Sequence, residues 1–185
     1  MEWLNKIDTQ LLQWINQTNS EVADSFMLFM SAKWVWLPLY ALLIWLLILK
    51  DGVQVWKTLI VVFFIVLLAD QTASALFKPL FGRLRPCHEA SLAEWIRTPG
   101  GCGGKYGFVS SHAANTAGVA LFLWKYMRNT FRYLWLLFLW ASITAYSRVY
   151  LGVHYPSDVV LGALIGMFYG WVGLKAMQYW KGATT

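Results

Sequence analysis

Charge is what this chain most lacks. Lys, Arg, Asp and Glu make up 13% of its 185 residues, with nine acids in all. They cluster between apolar runs instead of spreading evenly, which excludes an ordinary soluble domain with a water-facing surface. The acids form no cluster of the kind that holds Mg²⁺. Cysteine is limited to Cys87 and Cys102, with His88 the one histidine near them, which is too little to suggest a metal site. No basic stripe or motif that reads DNA or RNA accompanies the net charge of +6, so nucleic acid is not an expected partner. The segment from Met1 to Asn19 lacks the basic start, continuous apolar centre and small-residue cleavage site of a secretory signal, and is expected to remain on the protein.

What is abundant is apolar and aromatic surface: 58% hydrophobic residues, 12 Trp and a mean hydropathy of +0.49. A bilayer asks for about 20 apolar residues per helix. Phe26 to Leu49, Val53 to Phe77, Phe131 to Tyr150 and Pro156 to Trp180 meet that length. Ser110 to Lys125 is shorter, but Ala113, Ala114, Ala117, Gly118 and Ala120 suit a helix buried among helices. The expected fold is therefore all-α, an integral membrane bundle of about five transmembrane helices forming a single domain over 1–185. Lys33 and Pro38 interrupt the first span and are expected to split it into a short helix leading into a longer one. Ahead of it, 1–20 reads as an amphipathic helix in the membrane interface. Trp3, Leu4, Ile7, Leu11, Leu12, Trp14 and Ile15 fall on one side, Glu2, Lys6, Asp8 and Gln13 on the other.

With five spans the loops alternate sides. Lys50, Lys57, Lys125, Arg128, Arg132, Lys175 and Lys181 share one face with a single acid, Asp51, so that face is expected to be cytoplasmic. The opposite face receives the long 78–109 loop and the Arg148 to Asp158 connection. Three polar clusters gather there: Lys78 with Arg83, Arg85 and Pro86; Ser110, Ser111 and His112; and Ser147, Arg148, His154 and Asp158. Any one of these charges alone reads as a membrane-boundary anchor. Together they describe a pocket for a multiply charged anion with acid–base groups beside it.

Each residue type has its reason. Arg85 and Arg148 offer flat forks that match two phosphoryl oxygens, and Lys78 offers a compact charge. Ser110 and Ser111 fall where a helix begins, and free backbone N–H groups there favour an anion. Asp158, four residues after His154 and just past Pro156, is placed to accept a hydrogen bond from one ring nitrogen and leave the other free to attack phosphorus. A helix-capping histidine is the plain alternative. His112, on another helix, is placed to protonate the leaving oxygen.

Lys78-x6-Arg85-Pro86, the Ser110 to His112 segment and Ser147-Arg148-x5-His154-x3-Asp158 resemble the three signature motifs of the type 2 phosphatidic acid phosphatases (PAP2), in order. The second motif usually reads Pro-Ser-Gly-His, and here it is Val109-Ser110-Ser111-His112. If Ser111 needed a left-handed backbone, that change would cost roughly 1 to 2 kcal/mol. The resemblance covers about Asp70 to Gly166. It implies a helical bundle and metal-free catalysis without a cofactor. It also implies a phosphohistidine at His154 oriented by Asp158, protonation by His112, and phosphate held by Lys78, Arg85, Ser110, Ser111 and Arg148. Substrates implied are undecaprenyl diphosphate, phosphatidylglycerol phosphate, phosphatidic acid or the 1-phosphate of lipid A. The first is preferred because the site is expected to face the extracytoplasmic side, where that carrier is released. The small size suggests a bacterial inner membrane. Phosphotransfer to another acceptor, and a non-catalytic lipid-phosphate binder or transporter, are the alternatives.

Outside the motifs, Asp70, Ser74 and Lys78 fall on one helical stripe, so Asp70 is expected to orient a cation, and Asn115, one turn past His112, invites the same reading. Cys87 and Cys102 either form a disulfide in an oxidising compartment or stay free. The glycines between Pro99 and Gly104 suggest a flexible lid. Gly162, Gly166 and Gly170 are spaced for close helix packing, within the bundle or between copies. Trp34, Trp36, Trp56, Trp135 and Trp180 read as interfacial anchors and lipid-facing bulk.

Overall fold

The protein is represented by a computed structural model that describes residues 2–182. Among these residues the backbone is helix and loop, with one isolated antiparallel bridge between Leu84 and Tyr106. The helices are α1 (Glu2–Gln17), α2 (Glu21–Ser31), α3 (Leu37–Asp51), α4 (Val55–Gln71), α5 (Lys78–Phe81), α6 (Ser111–Met127), α7 (Leu136–Tyr150) and α8 (Pro156–Gly182). A π-helical stretch, Thr72–Phe77, joins α4 to α5.

The interruption expected at Lys33 and Pro38 is present. Ala32 is extended and ends α2; a 3-10 turn, Lys33–Trp36, leads into α3, where Pro38 sits in the first turn and its missing N–H leaves nothing unpaired. The helical run from Lys33 to Phe81 and the 27-residue α8 are each long and apolar enough to cross a bilayer. The first of these is not one rod. At Gly52 φ is 54° and ψ is −131°, and α3 turns back against α4. Large apolar side chains such as Trp45, Phe63, Phe64, Leu164, Phe168 and Trp171 point outward, as befits a bundle solvated by lipid. Trp34, Trp56 and Trp135 are exposed, whereas Trp36 packs edge-on against Trp140 and Trp180 against Trp56.

The central rod is α6, whose Ala113, Ala114, Ala117, Gly118 and Ala120 are buried. Its small side chains let α8 lie directly on its backbone. Gly162, Gly166 and Gly170 of α8 face the main chain of Ser110, Ala114 and Gly118 in turn, so the two helices run parallel in register. The glycine stripe thus serves packing inside the bundle. At the end carrying the basic loops, the buried Asp51 carboxylate accepts from Thr58 at 2.6 Å, Tyr126 at 2.6 Å and Lys181 at 3.0 Å, fastening α3, α4, α6 and α8 together.

Helix α1 packs on α7 and α8. Asp8, Leu12 and Asn16 point inward and are buried, while Trp3, Leu11 and Trp14 are exposed. Asp8 falls on the polar side of the helix, and periodicity shows which residues share a side, not which side meets a partner. Its inward position is explained by its bonds to Arg83 and Ser157, a partnership that a helical wheel cannot display.

Candidate active site

The ends of four helices and one loop meet in a cavity of about 670 Å³. Asp70 from α4, Ser74 from the π-helical stretch and Lys78 from α5 form one wall; Ser111, His112 and Asn115 of α6 form another. Arg148 closes it from the last turn of α7, His154 from the connector to α8, and Arg85 from the long loop. These groups form the polar head of the cavity. Below them the lining turns apolar, with Tyr40, Leu43 and Leu47 of α3 opposite Val66, Val62 and Leu59 of α4, then Val119 and Leu123 of α6. At 1.5 Å rise per residue, the distance from His112 to Leu123 is about 16 Å, roughly half a 30 Å hydrocarbon core.

The cations are held by neutral partners, which keeps their charge available. Lys78 Nζ donates to Ser74 Oγ at 3.1 Å and to Ser111 Oγ at 3.0 Å. Arg85 Nε donates to the Tyr106 carbonyl at 3.2 Å and a terminal nitrogen to the Cys102 carbonyl at 3.3 Å. Arg148 donates to the Ser31 hydroxyl of α2, and its Nε is buried without a partner. Ser111 is helical, and among the described residues no side-chain-bearing residue has a positive φ, so the backbone penalty considered for a serine here does not arise. Its hydroxyl steadies Lys78 instead.

Ser110 stands apart from the cradle. It is buried, its amide donates to the Asp158 carbonyl at 2.9 Å, and it does not line the cavity. That amide is therefore committed to joining α6 to α8.

His154 is buried at the cavity head with Asp158 behind it. Its Nδ1 lies 3.6 Å from Asp158 Oδ2, within ion-pair range but longer than a hydrogen bond. Loss of solvation pushes the imidazole down to about 4, and the nearby Arg85 and Arg148 add to the shift while Asp158 opposes it. Asp158 is held by two other donors: Arg83 at 2.8 Å on Oδ1 and the Tyr155 amide at 3.0 Å on Oδ2. Arg83 lies over the Tyr155 ring, 4.0 Å from its centroid, and donates to Asp8 at 2.6 Å.

Sequence reasoning placed Arg83 in the polar cluster without giving it a partner, and gave Lys33, which lines the cavity, only a role in breaking a helix. The i to i+4 signal that found His154 and Asp158 has no counterpart for partners 75 residues apart, such as Asp8 and Arg83. Among the described residues, one group of potential metal ligands lies close together, Cys87, His88 and Cys102, but the two cysteines are joined as a disulfide, so their thiols are not free to bind an ion. The bridge ties the glycine-rich segment, of which Cys102 is part, to Cys87, and the Cys102 carbonyl is the one that meets Arg85.

Residues 56–181 match the PAP2 superfamily model. The chain belongs to the PAP2 superfamily. It is similar to two lipid A 4'-phosphatases: that of Bacteroides thetaiotaomicron at 38% identity, covering 93% of this chain and 77% of the relative, and that of Porphyromonas gingivalis at 34%, covering 100% and 80%. An undecaprenyl-diphosphatase of Sulfolobus acidocaldarius is 29% identical, covering 92% and 77%. The crystal structure of Aquifex aeolicus LpxE superposes with a TM-score of 0.67 at 27% identity, covering 90% of this chain and 94% of that one. This PAP2 protein is an integral membrane phosphatase.

Proposed function

We propose that this PAP2 phosphatase hydrolyses a phosphomonoester on an outer-leaflet lipid, with a lipid A phosphate as its first substrate. The observation that carries the lipid reading is the cavity, which joins a cationic, histidine-bearing head to an apolar shaft about one leaflet deep. A phosphate settles among Lys78, Arg85 and Arg148 while one chain lies between α3 and α4. The preference for lipid A over undecaprenyl diphosphate rests on the two lipid A 4'-phosphatases, which match 93% and 100% of this chain at 38% and 34% identity. Undecaprenyl diphosphate, phosphatidylglycerol phosphate and phosphatidic acid remain the other members of the assay panel. In this reading the polar head faces the extracytoplasmic side of a bacterial inner membrane, the basic loops face the cytoplasm, and five helices of one domain cross the bilayer.

The chemistry follows from the placement. With Nδ1 turned to Asp158, Nε2 of His154 is the nitrogen free to attack phosphorus. A P–N bond forms as the P–O bond to the lipid breaks, and His112 gives its proton to the departing oxygen. The cations neutralise the charge spread over the equatorial oxygens. Water then attacks the phosphohistidine, with His112 now accepting a proton, and inorganic phosphate leaves. The role of Ser110 is to hold α6 against α8; Ser74, Asp70 and Asn115 keep the walls polar around Lys78 and His112.

The test is a panel of these lipids, assayed with and without chelator and with His154→Ala beside the wild type. Phosphate release from lipid A that persists in EDTA and vanishes in the variant is expected. Turnover retained by His154→Ala would sink the nucleophile assignment, and preference for the prenyl diphosphate would sink the substrate assignment.

A further inference from the structure

The carboxylate that faces His154 is linked through Arg83 to Asp8 on the N-terminal helix. Asp158 has two oxygens with different duties. Oδ1 is gripped by Arg83, and Oδ2 takes the Tyr155 amide and faces the imidazole. Two fixed donors define the plane of the carboxylate, and Arg83 is the one that a side chain supplies. Arg83 in turn is fixed on its far side by Asp8, which is 6% exposed and also accepts from the amide and hydroxyl of Ser157. A buried carboxylate is costly without such partners, and three donated hydrogen bonds, to two carboxylates and a serine, leave Arg83 little freedom.

We propose that Asp8 and Arg83 are positioning residues for the phosphatase reaction: seated on α8 by Ser157, they aim Asp158 at His154 and so set the direction of the nucleophile. The proposal rests on the phosphohistidine reading above. It assigns α1 a part in turnover beyond anchoring. The guanidinium is suited to this because its fork reaches both carboxylates at once, which a lysine cannot do. It also limits how strongly Asp158 can draw a proton onto His154, since part of the carboxylate's charge is already met.

A mere clamp holding α1 in place predicts lost stability and nothing else. Positioning predicts a change in kcat and in the acid limb of kcat/KM. The charged and titratable groups facing His154 are Asp158 from α8, Arg148 from α7, Arg85 from the loop and His112 from α6. None of these is altered in the variants. Arg83→Gln removes a cation from beside Asp158 and is expected to move the acid limb up; Asp8→Asn removes an anion and is expected to move it down. Both are expected to lower kcat about tenfold or more, the usual size of an outer-layer effect, with KM little changed.

Asn16→Ala is the control. It unties α1 from the Arg97 and Tyr150 carbonyls without touching Arg83, so it is expected to lower the unfolding midpoint while kcat and the limb stay put. Should Asp8→Asn or Arg83→Gln fail to fold in detergent, Arg83→Lys keeps the charge and reads out the same kcat loss. Folded Asp8 and Arg83 variants with wild-type kcat and limb overturn the proposal, as does a kcat loss in Asn16→Ala equal to theirs. His154→Ala is run in parallel. Inert Asp8 variants beside a dead His154 variant sink the positioning role alone, whereas an active His154 variant sinks the reading beneath it.

Discussion

Gly166 lies so close to Ala114 that a Cβ built on it would stand 1.9 Å from the Ala114 carbonyl oxygen. The neighbour is backbone, so no rotamer change relieves the clash. Gly166→Ala is expected to force α8 away from α6, at a cost of about 1–3 kcal/mol. Because α6 carries His112 and α8 carries Asp158, activity should fall with stability. Thermal unfolding in detergent and phosphate release measure the two. Wild-type values for both would show that the helices tolerate separation.

The histidine predicts a pH window. In the unfolded chain His154 takes a proton near its ordinary value of 6.5, whereas in the folded protein burial holds it down to about 4. As pH falls through that interval the unfolded state binds a proton that the folded state refuses, so stability is lost from pH 6.5 downward. The unfolding midpoint should drop between pH 7 and pH 5, and His154→Gln should remove part of the drop. The same neutral imidazole places the acid limb of kcat/KM below 6.5; a limb centred above that value would count against it.

Filling the shaft should separate tail binding from chemistry. Val119 lines the apolar part of the cavity, away from the cations. Val119→Trp is expected to lower kcat/KM for a full-length lipid about tenfold, the scale of a few misplaced methylenes, while a soluble short-chain phosphate ester is cleaved nearly as before. Equal loss on both substrates would mean that the chain lies elsewhere.

The Cys87–Cys102 bridge closes a loop with a sequence separation of 15, for which chain entropy gives about 3 kcal/mol. Reduction, or Cys87→Ser with Cys102→Ser, should lower the unfolding midpoint. It should also raise KM, because the Cys102 carbonyl that steadies Arg85 is no longer tethered.

The helices, and the gathering of Lys78, Arg85, Arg148, His112 and His154 around one cavity, were legible in the sequence because they follow local patterns. Apolar run length marks a span, Pro38 marks a helix start, and His154 and Asp158 meet because they are one turn apart. The places of Asp8, Lys33 and Arg83 depend on how α1, the Lys33–Trp36 turn and the long loop fold back, and no local pattern announces that. Ser110 shows the same limit from the other side. Its motif position suggested an anion contact, but its amide was within reach of a carbonyl on α8.

The knot around Asp51 has a bearing on what the enzyme can accept. Asp51, Thr58 and Tyr126 lie just beyond Leu47, Leu59 and Leu123, the deepest residues of the shaft, and their bonds draw the helices shut there. The cavity lining ends at that level. Under the proposed lipid reading, a hydrocarbon tail longer than the shaft bends out sideways into the surrounding lipid, so lengthening the tail past that point is expected to add little grip.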